Sequence, residues 1–199
     1  MARAVARATV PADPLVAAAS NPIRDLDLVG HELAAGVRVF ANRGLAGIDG
    51  TVSTATGLAL ATGPVRVLAG DLAFLHDLNG LLAPPREARA DLQVVVLNDD
   101  GGGIFSLLEH GERALHGPER ASAFERLFGT PHGADLGALC AGYRVPHRRV
   151  SSLEELEQAL AWPLDGVSVV EVPTSRTGLR ELHARIGVAV TGAARAALS

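Results

Sequence analysis

Cysteine and aromatic residues are scarce in this sequence, and basic residues do not predominate. The single cysteine, Cys140, cannot form an internal disulfide, which excludes a disulfide-stabilised secreted domain and predicts a cytoplasmic location. Cys140 lies in the apolar stretch LGALCAGY, which favours a buried packing role. The formal net charge of −4 gives no indication of binding to nucleic acid or to an acidic membrane surface.

Long apolar runs are also missing. No stretch approaches the roughly 18 apolar residues that a membrane span requires. Residues 1–14 are rich in Ala and Arg and lack the apolar centre of a signal peptide, so we interpret them as a tail or the end of a connector. Residues 191–199 are interpreted as a C-terminal tail. Aromatics make up 4% and hydrophobic residues 48% of the chain, so the domain predicted for residues 15–190 needs a core of Leu, Val and Ala.

The sequence does contain an alternation of strand-like and helix-like segments. VRVF, VRVLAG, LQVVVLN and GVSVVEVP read as strands, and LQVVVLN has no polar alternation, which is typical of a strand covered on both faces. Helical segments lie between them, which predicts an α/β fold: a parallel β-sheet flanked by helices on both faces. Residues 107–133 predict a loop-rich segment with one short helix, a type of connection that often covers a site.

Acidic residues stand directly after two of the predicted strands. Asp71 follows VRVLAG, Asp99 and Asp100 follow LQVVVLN, and three glycines come next. Ligands of open parallel sheets bind beyond the carboxyl ends of the strands, and carboxylate and carbonyl oxygens suit Mg²⁺. Taken singly, each feature is more typical of a helix cap or a turn than of a ligand site.

The joint pattern is more specific. Gly70-Asp71 is followed by Asn98-Asp99, and the two aspartates are 28 positions apart. This resembles the diphosphate-binding motif of thiamine diphosphate enzymes, G-D-x followed after a spacer by N-[ND]. The resemblance implies that the side chains of Asp71 and Asp99 and the carbonyl of Gly101 bind Mg²⁺ or Mn²⁺. Asp99 replaces the commoner Asn, and Asp100 is expected to be solvated or capping. Further cofactor contacts are implied for Gly70, Leu72, Asn98 and Gly102, with Asn98 orienting the loop.

Other stretches narrow the resemblance. SNPIRDLD, NRGLAGIDGTVSTATGLA and NDDGGGIFSLL are similar to 2-succinyl-5-enolpyruvyl-6-hydroxy-3-cyclohexene-1-carboxylate synthases, thiamine diphosphate-dependent transferases of menaquinone biosynthesis. FERLFGTPHGADL is similar to the lid region of that family. The similarity covers roughly residues 15–186 and concerns the C-terminal, diphosphate-binding domain alone. The catalytic Glu of the family lies in an N-terminal pyrimidine-binding domain, so no catalytic residue is assigned in this chain.

The resemblance implies decarboxylation of 2-oxoglutarate and addition of the succinyl-semialdehyde unit to isochorismate. It also implies a pyrimidine-binding domain from the same or a neighbouring chain as partner, a homodimer or homotetramer, and no activity for this chain alone. The substrates carry several carboxylates, for which arginines are the expected partners. The implied substrate-binding residues are Ser20, Arg24, Arg43, Ile104 and Phe105. Cofactor contacts are implied for Gly47, Ile48 and Asp49, and again for Ile104 and Phe105.

Alternatives stay open at this point. One alternative is a domain of another thiamine diphosphate-dependent carboligase or 2-oxoacid decarboxylase. Another is a non-catalytic dimerising module. Arg24 and Arg43 favour the synthase, because a decarboxylase of monoacids has no need for that pair. Thr51 and Ser53 are weak candidates for phosphate contacts and equally suit a helix cap, and Ile104 and Phe105 also suit an ordinary core. The seven histidines show no metal-binding spacing.

Overall fold

The computed structural model describes residues 1–42, 47–112 and 117–198. The chain divides into two compact units. Unit 1 comprises residues 1–98 and 133–174, and unit 2 comprises residues 99–132 together with the residues from 175 onward. The sheet lies in unit 1, and the glycine-rich segment after the fourth strand lies in unit 2.

Unit 1 is a six-stranded, wholly parallel sheet with the strand order β2-β1-β3-β4-β6-β5. The predicted strands VRVLAG, LQVVVLN and GVSVVEVP are confirmed, and VRVF is shorter than predicted. The strands are β1 (Leu15–Ala17), β2 (Val39–Phe40), β3 (Val65–Gly70), β4 (Leu92–Asn98), β5 (His147–Arg149) and β6 (Val167–Pro173).

Helices cover both faces of this sheet, as the uninterrupted apolar strands predict. The helices of unit 1 are α1 (Ala2–Ala8), α2 (Asn21–Leu28), α3 (Thr51–Thr62), α4 (Asp71–His76), α6 (Leu136–Gly142) and α7 (Leu153–Leu160). Alternate residues of β4 enter two separate clusters: Val94 and Val96 pack with Val52 and Phe74 on one face. Val95 packs with Leu156 on the other face. Both sides of the strand are therefore buried.

Several elements differ from the predictions. Residues 1–14, expected to be a tail or connector, include α1, whose Val5 and Ala6 are fully buried. The short strands β1 and β5 were not predicted, because three residues are too few to show a period. Helix α2 ends at Leu28, and a 3₁₀ turn follows over Gly30–Glu32. A second 3₁₀ turn, Leu78–Leu81, follows α4.

Unit 2 consists of short helical pieces and one long helix. Two 3₁₀ turns, Gly103–Leu107 and Glu109–Gly111, precede α5 (Pro118–Phe124), which continues as a π-helical turn over Glu125–Gly129. The final helix, α8 (Leu179–Leu198), extends well into the expected C-terminal tail. Within the described ranges, no helix combines the length and apolar character needed to cross a bilayer.

Candidate functional site at the strand ends

The carboxyl ends of β3 and β4 lie side by side in unit 1. The two strands pair in parallel from Val65 opposite Leu92 to Gly70 opposite Leu97. Asp71 is the first residue after β3, and Asn98 is the last residue of β4. These two strands are therefore neighbours in the sheet. This edge of an open parallel sheet is the usual position of a ligand.

Asp71 is a buried carboxylate at the start of a helix. Asp71 is only 2% exposed. Its Oδ1 accepts a hydrogen bond from the backbone N–H of Leu72 at 2.7 Å. Gly70 precedes it in an extended conformation as the N-cap of α4. A buried carboxylate at the carboxyl end of a strand is a hard oxygen ligand of the kind that binds Mg²⁺.

Asn98 is held by a polar cluster that the sequence analysis did not identify. Its Nδ2 donates to Oε1 of Glu171 on β6 at 2.9 Å, and Nε2 of His147 on β5 lies 3.0 Å from Oε2 of the same carboxylate. Glu171 has 5% exposure. The only indication of this cluster in the sequence is the charged Glu171 inside the apolar strand VSVVEVP. A charged side chain buried there without a partner would be unfavourable.

Ser20 and Arg24, predicted to contact substrate, are brought together at the start of α2. Arg24 Nη1 donates to the Ser20 carbonyl oxygen at 2.7 Å, and the Arg24 side chain is otherwise exposed. Ser20 has a φ of 74°, which is uncommon for a residue with a side chain. Oδ1 of the adjacent Asn21 is buried and has no hydrogen-bond partner among the described residues. Such an orphaned acceptor marks a place where a donor from a ligand fits.

The segment before α3 is described in part. Arg43 lies outside the described residues, so its predicted role stays a prediction. Ile48 is partly buried and packs against the core, whereas Asp49 is exposed. A Cβ atom at Gly47 would lie 2.2 Å from Asp49 Oδ1, so a side chain there would require the exposed Asp49 carboxylate to move.

The two hydroxyl residues at the start of α3 differ in their surroundings. Ser53 donates two hydrogen bonds to the Asp77 carboxylate: one from the Ser53 backbone N–H at 2.6 Å and one from the Ser53 hydroxyl at 2.9 Å. Asp77 therefore caps the backbone N–H of Ser53 in the first turn of α3, and the Ser53 hydroxyl bonds to the same carboxylate. Thr51 Oγ1 is buried and has no hydrogen-bond partner among the described residues. Thr51 thus remains a candidate for contact with a phosphate oxygen.

Unit 2 begins with the glycine-rich loop, residues 99–103. Gly101 has a φ of 136°, and Gly102 (φ −85°, ψ 61°) forms an inverse γ-turn in which Gly103 N–H donates to the Gly101 carbonyl at 3.1 Å. A Cβ atom at Gly103 would lie 2.2 Å from Asp99 Oδ2. The glycines therefore let the backbone approach the Asp99 carboxylate closely.

Asp100 is half-exposed and accepts a hydrogen bond at Oδ1 from the backbone N–H of His132 at 3.0 Å. It also adopts a left-handed conformation, with φ 58°. This agrees with the expectation that Asp100 is solvated or capping.

Phe105 belongs to an aromatic cluster inside unit 2. Its ring centroid lies 5.5 Å from that of Phe128 and 6.2 Å from that of His110. Phe124 stacks on Phe128 at 5.5 Å. Ile104 and Phe105 are both only partly buried within the 3₁₀ turn Gly103–Leu107. One side of Phe105 thus packs in the small aromatic core of unit 2. Its predicted role in an apolar wall beside a ligand remains a prediction.

The residues present fit a metal–diphosphate group in kind. Two carboxylates and one backbone carbonyl are hard oxygen donors, and such a set leaves coordination positions for phosphate oxygens. Among the described residues there is no cluster of three or more His, Cys, Asp or Glu side chains able to hold a metal ion. The predicted site needs no such cluster, because it has two side-chain ligands.

A cavity of about 480 Å³ lined by Arg66 and Trp162 opens elsewhere, at the amino end of β3.

Comparison with curated proteins gives consistent names. The chain is 56% identical over 180 residues to a 2-succinyl-5-enolpyruvyl-6-hydroxy-3-cyclohexene-1-carboxylate synthase from Renibacterium salmoninarum, a match covering 90% of this chain and 32% of that protein. Proteins of the same name match from Rhodococcus erythropolis (55%, covering 94% of this chain and 34% of that protein) and Nocardia farcinica (57%, covering 87% and 31%). The chain therefore spans about a third of the length of these relatives.

The fold is shared with a solved structure. The crystal structure of benzoylformate decarboxylase from Polynucleobacter necessarius superposes with a TM-score of 0.68 at 21% identity, covering 88% of this chain and 32% of that chain. Residues 31–172 match the family described as thiamine pyrophosphate enzyme, C-terminal TPP binding domain. Thiamine pyrophosphate is the same compound as thiamine diphosphate. With most of its length inside that match, the chain belongs to the C-terminal TPP-binding domain family of thiamine pyrophosphate enzymes.

Proposed function

We propose that this chain is the cofactor-binding part of a 2-succinyl-5-enolpyruvyl-6-hydroxy-3-cyclohexene-1-carboxylate synthase of menaquinone biosynthesis. In that role it serves the decarboxylation of 2-oxoglutarate and the addition of the succinyl-semialdehyde unit to isochorismate. The support is the family membership together with three relatives of that name at 55–57% identity.

The first task of the chain is to hold the diphosphate end of the cofactor. Asp71, Asp99 and the Gly101 carbonyl are the proposed ligands of Mg²⁺ or Mn²⁺, and Asn98 orients the start of the loop. Gly70, Leu72 and Gly102 are proposed to provide backbone contacts. When bound, thiamine diphosphate supplies the electron sink for loss of CO₂ from a 2-oxoacid. Ile48 is proposed to support the cofactor from one side, with Gly47 and Asp49 beside it.

The second task is to hold acidic substrates. Arg24 presents an exposed guanidinium anchored to the Ser20 carbonyl, so its remaining N–H groups are available to a carboxylate. Arg43 is proposed as the second cation, and Ser20 as a nearby polar contact. Ile104 and Phe105 are proposed to form an apolar wall that limits access of water to the reacting carbon.

The third part of the proposal concerns partners and location. Since the chain spans about a third of its relatives, the group that activates the cofactor is expected in a pyrimidine-binding domain of the same or a neighbouring chain. We propose a homodimer or homotetramer for the complete assembly. A cytoplasmic location is proposed because the one cysteine is a buried free thiol.

The observation that supports the proposal is the register of β3 and β4: Gly70 lies opposite Leu97, so Asp71 and Asn98 lie at neighbouring strand ends. A chimera tests it directly: this chain replaces the matching 180 residues of the Renibacterium relative. We expect the chimera to release CO₂ from 2-oxoglutarate in the presence of isochorismate, thiamine diphosphate and Mg²⁺, whereas the chain alone does not.

Three controls complete this experiment. The unaltered Renibacterium protein sets the reference rate, and the chain alone reports any turnover without the other domains. Monocarboxylic 2-oxoacids such as pyruvate and benzoylformate test the alternative activity. A folded chimera that turns over only these monoacids, or a chain that is active alone, would contradict the proposal.

A further inference from the structure

Arg176 follows β6 and donates hydrogen bonds into the glycine-rich loop of unit 2. Its Nε donates to the Asp99 carbonyl at 3.0 Å, and its Nη2 donates to the Asp100 carbonyl at 2.9 Å. Its Nη1 forms an ion pair with Glu125 Oε1 at 2.7 Å. The Arg176 side chain has 18% exposure. One planar guanidinium thus joins three acceptors, which the single ammonium of a lysine matches poorly.

The same loop is in direct contact with residues 124–132, here called the cover segment. Gly102 N–H donates to the Gly129 carbonyl at 2.8 Å, and His132 N–H donates to Asp100 Oδ1 at 3.0 Å. A Cβ atom at Gly101 would lie 2.0 Å from the Gly129 carbonyl oxygen. Gly101 is therefore required by the close approach of the backbone of the cover segment.

The Arg176–Glu125 ion pair lies against the same part of the cover segment. A Cβ atom at Gly129 would be 2.7 Å from Arg176 Nη1 and 2.7 Å from Glu125 Oε2. Glu125 begins the π-helical turn Glu125–Gly129, whose widened backbone bond runs from Thr130 N–H to the Glu125 carbonyl at 2.7 Å. Such turns are rare and are frequent at functional sites.

We propose that Arg176 is a positioning residue for cofactor binding: it fixes the glycine-rich loop to the cover segment before the metal and diphosphate arrive. With the carbonyls of Asp99 and Asp100 both anchored, the peptide that carries the Gly101 carbonyl has little freedom to turn. The loop then binds a cation without a large cost of ordering. The metal part of this inference rests on the proposed function, whereas the tie between loop and cover segment does not.

Amide hydrogen exchange of the chain, without any ligand, tests the tie. We expect Arg176→Gln to increase exchange at the amides of Gly102 and His132 by about tenfold, because their acceptors lie on opposite sides of the lost bridge. Arg176→Lys, which keeps the charge, is expected to give an intermediate increase. The matched control is Arg180→Gln, since Arg180 also donates to two carbonyls, those of Ser106 and Leu108, outside this loop.

Metal dependence in the chimera tests the consequence. Thiamine diphosphate binding is measured by calorimetry over a series of Mg²⁺ concentrations. We expect Arg176→Gln to raise the half-saturating Mg²⁺ concentration about tenfold, an effect typical of residues that orient metal ligands. Arg180→Gln should stay within about twofold of the parent, and Arg176→Lys should recover part of the loss.

The outcomes separate cleanly. Unchanged exchange at Gly102 and His132 in Arg176→Gln would overturn the tie. Increased exchange with an unchanged Mg²⁺ requirement would overturn the positioning role and leave Arg176 as a stabilising residue. A folded parent chimera that binds thiamine diphosphate equally with and without Mg²⁺ would overturn the proposed metal site, and the exchange result would still decide the tie.

Discussion

Glu171 accepts a hydrogen bond from Asn98 across the pairing of β6 with β4, at 2.9 Å between Oε1 and Nδ2. The other carboxylate oxygen lies 3.0 Å from His147 Nε2. A charged residue at 5% exposure is thereby satisfied by its neighbours on both adjacent strands. This arrangement fixes the side chain of the residue that precedes the proposed metal ligand Asp99.

The first prediction concerns this cluster. Glu171→Ala should lower the free energy of unfolding by about 3 kcal/mol, because Asn98 and His147 both lose a buried partner. Glu171→Gln should cost less, about 1 kcal/mol, since an amide still bonds both neighbours. Urea unfolding followed by circular dichroism measures both. Equal losses for the two variants would show that the polar bonds contribute little.

The second prediction concerns Cys140, which is fully buried and whose pKa burial raises to about 11. Reaction with a thiol reagent at pH 8 should be slow in the folded chain and fast in urea, because the thiolate is the reactive form. Since folding raises this pKa from 9.0, its contribution to stability is complete below pH 9 and is lost as the pH rises towards 11.

A variant isolates that contribution. Cys140→Ala is expected to lose less stability than the parent between pH 9 and pH 11, although it is less stable at pH 7. Urea unfolding at three pH values measures the difference. Parallel pH profiles for the two proteins would contradict the account.

The parallel sheet was predictable because its three central strands are long and apolar. LQVVVLN places Val94 and Val96 on one face of the sheet and Val95 on the other. An unbroken run of apolar residues is the pattern of a strand that is buried on both faces. By contrast, β1 has three residues and β2 has two, so neither shows a period. Residues 2–8 were missed as a buried helix, because Ala gives little hydrophobic contrast and the burial depends on contacts remote in sequence.

The candidate site divides in the same way. Asp71 was predictable from its position directly after a recognisable strand, and Asn98 from its position at the end of one. Glu171 and Arg176 were not, because each acts on residues more than 70 positions away in the chain. Local patterns report local structure, whereas a long-range hydrogen bond becomes visible only once the strand order is known.

The third prediction tests the close approach at the glycine-rich loop. Gly101→Ala should lower the free energy of unfolding by about 2 kcal/mol, because the position combines a φ of 136° with a Cβ atom 2.0 Å from the Gly129 carbonyl oxygen. The control is Gly187→Ala in α8, where nothing lies within 4 Å of the new atom. That substitution should stabilise the helix by about 0.5–1 kcal/mol. A neutral Gly101→Ala would contradict the packing.

The fourth prediction concerns the proposed carboxylate partners. In the chimera, Arg24→Ala and Arg43→Ala should each reduce kcat/KM for the acidic substrates by roughly 10- to 100-fold, as expected for loss of a charge-assisted bond. The affinity for thiamine diphosphate should stay within about twofold. Arg185→Ala, an exposed arginine of α8, serves as the control. Unchanged steady-state kinetics in both variants would remove these arginines from the substrate site.

The metal site is tested most directly by the affinity of the chimera for thiamine diphosphate, titrated with Mg²⁺ and with a chelator, for the parent and for Asp71→Ala. We predict tight binding of the parent only with Mg²⁺, and binding by Asp71→Ala that is weak and indifferent to Mg²⁺. A correctly folded Asp71→Ala chimera that retains the parent's Mg²⁺-dependent affinity would contradict the account.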